Sequence, residues 1–355
     1  MTDDRTPRRG KVDRDTFESV VRPALGADRD DVRVGPAHGV DFGVLDVADR
    51  AVVCATDPIS LLPELGYERA GRFALSFALG DVAVSGVAPT HLCPSFALPQ
   101  EVSDDEFAAF WAAMTAECEA LGVAVPTGHT ARYPGASLPW VGAATVLGVG
   151  DHDDVIRPDG ARPGDRLLVT KGPAVETAGL FASVFPDALA DRGLDESTLA
   201  EAAALIDETS VVRDALAAAT AGREAARSGD AAAGVTAMHD ATEGGLRGAL
   251  CETAAAAGVR IDVDRASVPT VDAALATCRA LDIDPWACTT SGTLLLAVDP
   301  DAVDRVVAAL QARGTPVGVV GDVTAGSGVF VDGERVDPPT EDASWGVYER
   351  LSAGR

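Results

Sequence analysis

The sequence predicts an α/β (α+β) protein made of two successive units. Short apolar runs alternate with helical patterns, and a stretch rich in Asp, Pro and Gly, residues 151–164, interrupts that alternation. The 355 residues, 47% of them hydrophobic, are enough for two domains with substantial cores. We therefore expect one domain at 16–156 and another at 157–340, flanked by tails at 1–15 and 341–355.

Each unit contains its own alternation of strands and helices, read from the spacing of apolar residues. In the first unit, strands are expected at 51–56, 92–97 and 141–149, and helices at 67–85 and 103–121. In the second unit, the expected strands are 166–170, 234–238, 258–263, 293–298 and 317–323. The expected helices there are 176–185, 197–219, 243–257, 271–281 and 302–311.

The chain is strongly acidic. It has 55 acidic residues against 29 basic ones, a formal net charge of −26, and its only lysines are Lys11 and Lys171. Such a composition is typical of a halophilic protein from a high-salt cytoplasm, where salt screens the self-repulsion. It argues against nonspecific nucleic-acid binding, because few cations are available to replace counterions. No apolar run approaches a membrane span and no signal peptide is recognisable, so we expect a soluble cytoplasmic protein.

Asp81 lies where a helical pattern predicts core. Phe73, Phe77 and Asp81 are spaced four residues apart and would share one helical face. An ionised carboxylate in an apolar stripe is unfavourable unless it is paired or bound to a metal. The alternative is a helix that ends at 79–80, with Asp81 capping the next turn.

Asp57 and Asp41 are two further candidates. Asp57 follows the strand at 51–56, and the ends of strands are where α/β proteins collect ligand-binding groups. Pro58 is expected to end that strand, and an Asx-type turn is the alternative explanation for the Asp-Pro pair. Asp41 interrupts an apolar run punctuated by Gly at 38–45, and a solvated loop is the alternative there.

Asp240 and Glu243 precede the helix at 243–257 with the spacing of a capping box, which is one explanation for them. Gly244 and Gly245 are poor helix formers, however, and fit a helix start that a ligand must approach closely. Since Mg²⁺ binds carboxylates together with phosphate oxygens, the acids favour a divalent metal that holds a polyphosphate. His129 follows a turn. The alternatives for its ring are a metal ligand, a hydrogen-bond partner of a phosphate, and neither of these.

Taken in order, these segments make the chain similar to a known superfamily, that of aminoimidazole ribonucleotide synthetase (PurM), selenophosphate synthetase, thiamine-monophosphate kinase and the hydrogenase-maturation protein HypE. The resemblance extends from about residue 20 to residue 337 and is strongest to the HypE-like branch. It is carried by Gly-Val-Asp at 39–41, Ala-Thr-Asp at 55–57, Gly-Asp-Val-Ala-Val-Ser-Gly-Val-Ala-Pro at 80–89, Thr-Gly-His-Thr at 127–130, Arg-Pro-Gly-Asp at 162–165, His-Asp-Ala-Thr-Glu-Gly-Gly at 239–245 and Thr-Ser-Gly-Thr-Leu-Leu at 290–295.

The resemblance implies a two-domain PurM-like fold whose N-terminal sheet pairs with that of a second subunit, closing a β-barrel in a homodimer. ATP would lie between the domains and activate an oxygen of a small-molecule substrate by phosphorylation. Mg²⁺ would be held by Asp41, Asp57 and Asp81. The implied catalytic residues are Asp240, Glu243 and His129, and the implied nucleotide contacts are Thr56, Gly128, Thr130, Lys171, Gly244 and Gly245.

Two departures from the family pattern leave alternatives open. Relatives carry an acid where this chain has His129, so the number of metal ions is not fixed by the resemblance. HypE ends in a modified cysteine, whereas no cysteine follows Cys288 here, so we expect no self-modification of the tail. The leading hypothesis is an ATP- and Mg²⁺-dependent enzyme. A kinase of the thiamine-monophosphate type, a non-catalytic nucleotide-binding scaffold, and an acidic protein with ordinary capping acids are its rivals.

Overall fold

The computed structural model describes residues 10–12 and 14–354. In this part of the chain the N-terminal strands form a six-stranded sheet in the order β1-β2-β3-β6-β4-β5, which is antiparallel except for the pairing of β4 with β5. The strands are β1 Val32–Val34, β2 Gly43–Val47, β3 Arg50–Ser60, β4 Pro89–Leu98, β5 His129–Arg132 and β6 Trp140–Gly150.

The C-terminal strands form a seven-stranded sheet in the order β13-β12-β9-β11-β7-β10-β8. Strand β8 therefore lies at one edge, where β10 is its neighbour. The strands are β7 Arg166–Thr170, β8 Val235–Ala241, β9 Arg260–Val263, β10 Thr293–Val298, β11 Val317–Thr324, β12 Gly328–Val331 and β13 Glu334–Val336.

Helices cover these sheets. The α-helices of the described residues are α1 Arg14–Thr16, α2 Tyr67–Ala83, α3 Asp104–Leu121, α4 Val175–Val184, α5 Pro186–Ala190, α6 Glu196–Ala204, α7 Val212–Ser228, α8 Gly245–Ala257, α9 Asp272–Leu281, α10 Val303–Ala312 and α11 Trp345–Ser352. No helix in the described residues has the length and apolarity needed to span a membrane.

The two sheets are buried differently. Helices α2 and α3 cover one face of the first sheet, so Ala51, Val53 and Ala55 of β3 are buried while Val52 and Cys54 on the other face are partly exposed. The second sheet is buried on both faces, with α7 and α10 on one side and α8 on the other. The packing of α2 against α7 joins both units in one continuous core. The α/β class and the two-sheet arrangement predicted from the sequence are confirmed.

Strand β3 is longer than predicted, because Pro58 does not end it. Beyond Cys54, β3 pairs with β6 alone, and Pro58 lies opposite Ala143 in that ladder. A proline has no N–H to donate, but a stretch of strand with a partner on one side only can accommodate that loss. Asp57 consequently lies within the strand, opposite Ala144, rather than in a turn after it.

Two other predictions need correction. The helix expected at 197–219 is divided into α6, a 3₁₀ turn at Leu205–Glu208 and α7. At the break, the Thr209 hydroxyl donates a hydrogen bond to the Ile206 carbonyl, and such a bond competes with the helical pattern. Residues 341–355, expected to be a tail, contain α11, whose Tyr348 ring packs against the rings of Phe181 and Phe185.

Candidate functional site

Four aspartates from four separate segments meet where the two units pack together. Asp41 lies in the loop before β2, Asp57 in β3, Asp81 in the last turns of α2 and Asp240 near the end of β8. Ligand atoms of Asp41, His239 and Asp240 lie within 4.8 Å of one another, and Asp57 and Asp81 share a hydrogen bond. We refer to Asp41, Asp57, Asp81 and Asp240 as the aspartate cluster.

Helix α2 carries Asp81 into the aspartate cluster. The helix runs on to Ala83, so Asp81 does not cap a new turn, and Phe73 and Phe77 pack edge to face with ring centroids 5.2 Å apart. Gly80 permits the close approach of α2 to the second unit. A Cβ atom at Gly80 would lie 3.0 Å from Cγ2 of Val211 and 3.5 Å from Oδ2 of Asp240.

Asp240 is a strand residue and does not cap a helix. It pairs with Leu294 in the ladder of β8 and β10, while α8 begins at Gly245 after an N-cap, Gly244, that makes no side-chain cap. The capping-box explanation for Asp240 and Glu243 is therefore wrong in this structure. The Asp240 side chain is buried, and its Oδ1 atom has no hydrogen-bond partner among the described residues.

Burial and mutual repulsion act on the acids of the aspartate cluster, and the positive charge of His239 and Lys11 offsets them only in part. Burial raises the pKa of Asp81 well above its usual range, and repulsion from Asp240, Asp57 and Asp41 adds to this effect. Burial also raises the pKa of Asp57. For Asp240, burial and then repulsion from Asp41 raise the pKa to about 7, although His239 and Lys11 act in the opposite direction. These are the shifts expected where buried carboxylates share a site.

The donor set fits a divalent metal. Asp240 offers a buried carboxylate oxygen that no group of residues 10–12 and 14–354 satisfies, and such atoms are rare in folded proteins. Mg²⁺ takes oxygen ligands, namely carboxylates together with water and substrate phosphates, and the aspartate cluster supplies carboxylate oxygens. Asp240 is thus a further candidate ligand beside Asp41, Asp57 and Asp81, whose assignment to a metal stays a prediction.

His239 and Glu252 belong to this site although neither was singled out from the sequence. Nδ1 of His239 lies 2.5 Å from Oδ2 of Asp41, and Nε2 lies 2.9 Å from Oε2 of Glu252. Burial acts to lower the pKa of His239, but the two carboxylates outweigh it and raise the pKa well above its usual range. Burial acts to raise the pKa of Glu252, yet the bond from His239 brings it to about 2.

Lys11 lies at the same site and was also missed, because it falls in the predicted N-terminal tail. Residues 1–9 and 13 of that tail are outside the described residues. The Lys11 backbone N–H lies 3.1 Å from both carboxylate oxygens of Glu243, and its ammonium lies 3.4 Å from Oγ1 of Thr242. Loss of hydration acts to lower the pKa of Lys11, but attraction to Glu252 and three acids of the cluster raises it overall.

Four other predicted site residues do not meet the aspartate cluster within one chain, namely Thr56, Gly128, His129 and Thr130. Thr56 points to the open face of the first sheet, where its hydroxyl lies 2.5 Å from that of Thr145, whereas Asp57 points to the face that α2 covers. Gly128 precedes β5, and His129 and Thr130 are exposed within it. Three strand spacings, about 14 Å, separate β5 from β3.

The other predicted nucleotide contacts already have protein partners. The Lys171 ammonium donates to the carbonyls of Glu208 and Ser210 and pairs with Asp214 at 3.3 Å. The Gly244 N–H donates to Asp342 at 2.8 Å, and the Gly245 N–H donates to the Thr242 carbonyl. Their roles with a nucleotide, like those of Thr56, Gly128, His129 and Thr130, stay predictions.

Comparison with known proteins decides the family. Residues 39–149 match the N-terminal domain of AIR synthase related proteins, and residues 162–334 match the C-terminal domain. The chain belongs to the AIR synthase related family. Carbamoyl dehydratase HypE of Escherichia coli K12, a relative, is 27% identical over 267 residues, which cover 74% of this chain and 73% of HypE.

Two further comparisons extend the family picture. Thiamine-monophosphate kinase of Halobacterium salinarum is 31% identical over 270 residues, which cover 75% of this chain and 80% of the kinase. A crystal structure of HypE in complex with ATP matches with a TM-score of 0.65 at 19% identity, covering 95% of this chain and 97% of HypE. At that identity the structural match establishes the shared fold, and the PurM-like, HypE-like resemblance read from the sequence is confirmed.

Proposed function

We propose that this protein is an ATP- and Mg²⁺-dependent enzyme that activates an amide or similar oxygen of a small molecule by phosphorylation. One observation carries the proposal: four buried or half-buried aspartates converge between the two sheets, and one of them presents an oxygen without a partner in the part of the chain that the structure describes. The family supports the nucleotide, since a HypE structure has been solved with ATP and HypE is named a carbamoyl dehydratase.

In this proposal Asp41, Asp57, Asp81 and Asp240 hold Mg²⁺, which would supply positive charge to the phosphates of the nucleotide. Phosphoryl transfer needs mainly positioning and charge neutralisation from a protein, and an acidic site without bound cations would repel a polyphosphate. Phosphorylation of a substrate oxygen turns a poor leaving group into a good one. Glu243, held by the Lys11 backbone, lies beside this site and is a candidate for contact with the substrate.

A kinase is the second candidate. It is favoured by the 31% identity to thiamine-monophosphate kinase of Halobacterium salinarum, which covers 75% of this chain. The two reactions differ in their products. A dehydratase or cyclase releases ADP and free phosphate, whereas a kinase releases ADP and leaves the phosphate on the product.

The open face of the first sheet supports a homodimer. Val47 of β2 and Val149 of β6 are 49% and 41% exposed on this face, and Val52 and Cys54 lie on β3 between those two strands. An apolar sheet face of this kind is normally covered by another layer, and we propose that a second copy covers it. A dimer would also bring His129, Gly128 and Thr130 close to the nucleotide bound by the second copy. Separately, the net charge of −26 favours function at high salt.

The test is calorimetric titration of a non-hydrolysable ATP analogue in high salt, with and without Mg²⁺. Asp57→Asn and Asp81→Asn are each expected to abolish Mg²⁺-dependent binding. Asp322→Asn, which removes an exposed acid paired with Arg166 at 2.7 Å, is the matched control and is expected to bind normally. Unchanged affinity in both site variants would refute the metal assignment, and tight binding without turnover of any metabolite would favour a scaffold.

A further inference from the structure

His239 is placed to act on the aspartate cluster from the second unit. It lies in β8, its ring is 7% exposed, and it bridges Asp41 of the N-terminal domain to Glu252 of α8. The Asp41 side chain is 8% exposed, so the bridge is shielded from water. Buried ion pairs with hydrogen bonds in good geometry fix orientation, because neither partner can relax into solvent.

The loop that carries Asp41 also rests on the second unit. Gly39 adopts a φ of +75°, and a Cβ atom there would lie 2.9 Å from Cβ of Glu252. A side chain at position 39 would therefore displace the loop from α8. The loop that carries Asp41 is thus held against α8 and β8, which belong to the C-terminal domain.

Both ring nitrogens of His239 face carboxylates, so the ring donates two hydrogen bonds and has no lone pair directed at a cation. Its atoms lie close enough to Asp41 and Asp240 to be considered as a metal ligand, but such binding would break the bond to Asp41. The geometry favours the role of a donor that holds one oxygen of Asp41 and leaves the other for the metal.

We propose that His239 is a positioning residue: held by Glu252, it orients Asp41 so that the cation site is complete only when the two domains are packed together. The inference rests on the proposed function, because it requires that Asp41 binds the metal of a nucleotide complex. Hydrogen-bond partners of metal ligands contribute about 10–100-fold to metal affinity. We expect a change of that size when the bond to Asp41 is lost.

A matched pair of variants separates the two bonds of His239. The Asn side-chain nitrogen superimposes on Nδ1, so His239→Asn keeps the donor to Asp41 and loses the bond to Glu252. The Gln nitrogen superimposes on Nε2, so His239→Gln does the reverse. His152→Gln is the control, since His152 also pairs with an aspartate, Asp46, at 3.2 Å but on the surface.

Mg²⁺ titration at a fixed concentration of AMPPCP measures the effect, with thermal melting to confirm folding. The expected result is a loss of about 10–100-fold in Mg²⁺ affinity for His239→Gln, a clearly smaller loss for His239→Asn, and none for His152→Gln. In addition, His239→Gln should cause no further loss when Asp41→Asn is already present, because the ring acts through Asp41. Additive losses, or equal affinity in His239→Gln and the wild type, would overturn the inference.

Two further outcomes complete the test. If the His239 variants do not fold, Glu252→Gln takes their place, because it preserves side-chain shape; it is expected to weaken Mg²⁺ binding several-fold, and unchanged affinity would overturn the inference. If the wild-type protein binds no Mg²⁺–AMPPCP at all, the proposed function fails and the inference fails with it. Wild-type binding with no response to His239→Gln overturns the inference alone.

Discussion

Two groups of buried acids in this protein differ in how their charge is balanced. Asp214, at the start of α7, accepts hydrogen bonds from Arg313 at 2.9 Å and Thr315 at 2.7 Å, and it pairs with the Lys171 ammonium at 3.3 Å. Burial acts to raise the pKa of Asp214, but attraction to Lys171 and the bonds from Arg313 and Thr315 lower it overall. In the aspartate cluster the pKa values of Asp57, Asp81 and Asp240 are raised instead.

The difference shows how a structural acid is distinguished from a ligand-binding one. Both groups are shielded from water, so burial alone separates nothing. Asp214 has its full set of donors, whereas Asp240 retains a buried oxygen without one. A buried carboxylate without a partner is unfavourable, and it persists where a bound cation completes it.

The largest expected effect is on the free energy of unfolding, which substitution of an acid should change in opposite directions in the two groups. Asp214→Ala leaves Lys171 and Arg313 without their buried partner, so it should lower the free energy of unfolding by about 3–5 kcal/mol. Asp240→Asn removes repulsion from the aspartate cluster and should preserve or increase the stability of the metal-free protein, while abolishing Mg²⁺ binding. Denaturant unfolding at constant salt measures both, and a large loss of stability in Asp240→Asn would contradict the contrast.

The pH dependence of stability should follow Asp240. Its folded-state pKa is about 7 against an ordinary value of 3.8, so between these values the folded protein keeps a proton that the unfolded chain has lost. The free energy of unfolding without divalent metal should therefore fall as the pH rises through this window. Asp214 has the opposite sign, since its contribution is present above 3.8 and is lost as the pH falls below it.

Melting temperatures in a chelator, measured across that window, test the assignment. The melting temperature of the wild type should fall by several degrees as the pH rises, and that of Asp240→Asn should fall by less. Mg²⁺ together with the ATP analogue should remove most of the dependence, because bound metal favours the ionised carboxylates. A wild-type melting temperature that is constant over the window would show that the aspartate cluster is not under electrostatic strain.

A smaller effect is expected at Lys11. Its ammonium is attracted by Glu252, Asp41, Asp81 and Asp240, so in the absence of metal it supplies part of the missing positive charge. Lys11→Met should therefore bind Mg²⁺ a few-fold more tightly when no nucleotide is present, whereas Lys11→Arg should resemble the wild type. Weaker Mg²⁺ binding by Lys11→Met would show that the lysine does not compete with the metal.

The smallest effect is expected at His129. Its ring is exposed, and Nε2 lies 3.0 Å from the hydroxyl of Tyr133. His129→Ala should change the free energy of unfolding by no more than about 0.5 kcal/mol and leave Mg²⁺ affinity without nucleotide unchanged. A loss of nucleotide affinity in this variant would instead support a role for His129 in the site of a second subunit, as the family resemblance implies.

The sequence predicted the elements with strong apolar periodicity and the acids within them. Strand β10 was placed at its observed bounds. Asp41 and Asp81 were recognised because they interrupt apolar patterns, Asp57 because it follows a predicted strand, and Asp240 because it stands with Glu243 before a glycine-rich helix start. Short strands such as β1 and β5, with three and four residues, carry too little periodicity to be recognised.

The partners of these acids were harder to predict. His239 contacts Asp41 across 198 positions of the chain, and only the packing of the two domains brings them together. Glu252 is linked to Asp41 through His239. Lys171 was expected to contact the nucleotide, but its neighbours Asp214 and Glu208 lie on elements whose proximity no local pattern indicates. Local spacing identifies an unusual charge, whereas its partner depends on tertiary structure.

Anomalous diffraction is the most direct test of the account. Crystals grown in high salt with Mn²⁺ and a non-hydrolysable ATP analogue would locate the metal independently of any assumption about its ligands. We predict an anomalous peak for Mn²⁺ within the aspartate cluster. The metal should be coordinated by carboxylate oxygens of the cluster, including Oδ1 or Oδ2 of Asp240, and by phosphate oxygens of the nucleotide. Well-ordered nucleotide whose metal lies elsewhere, with no peak between Asp57 and Asp240, would contradict it.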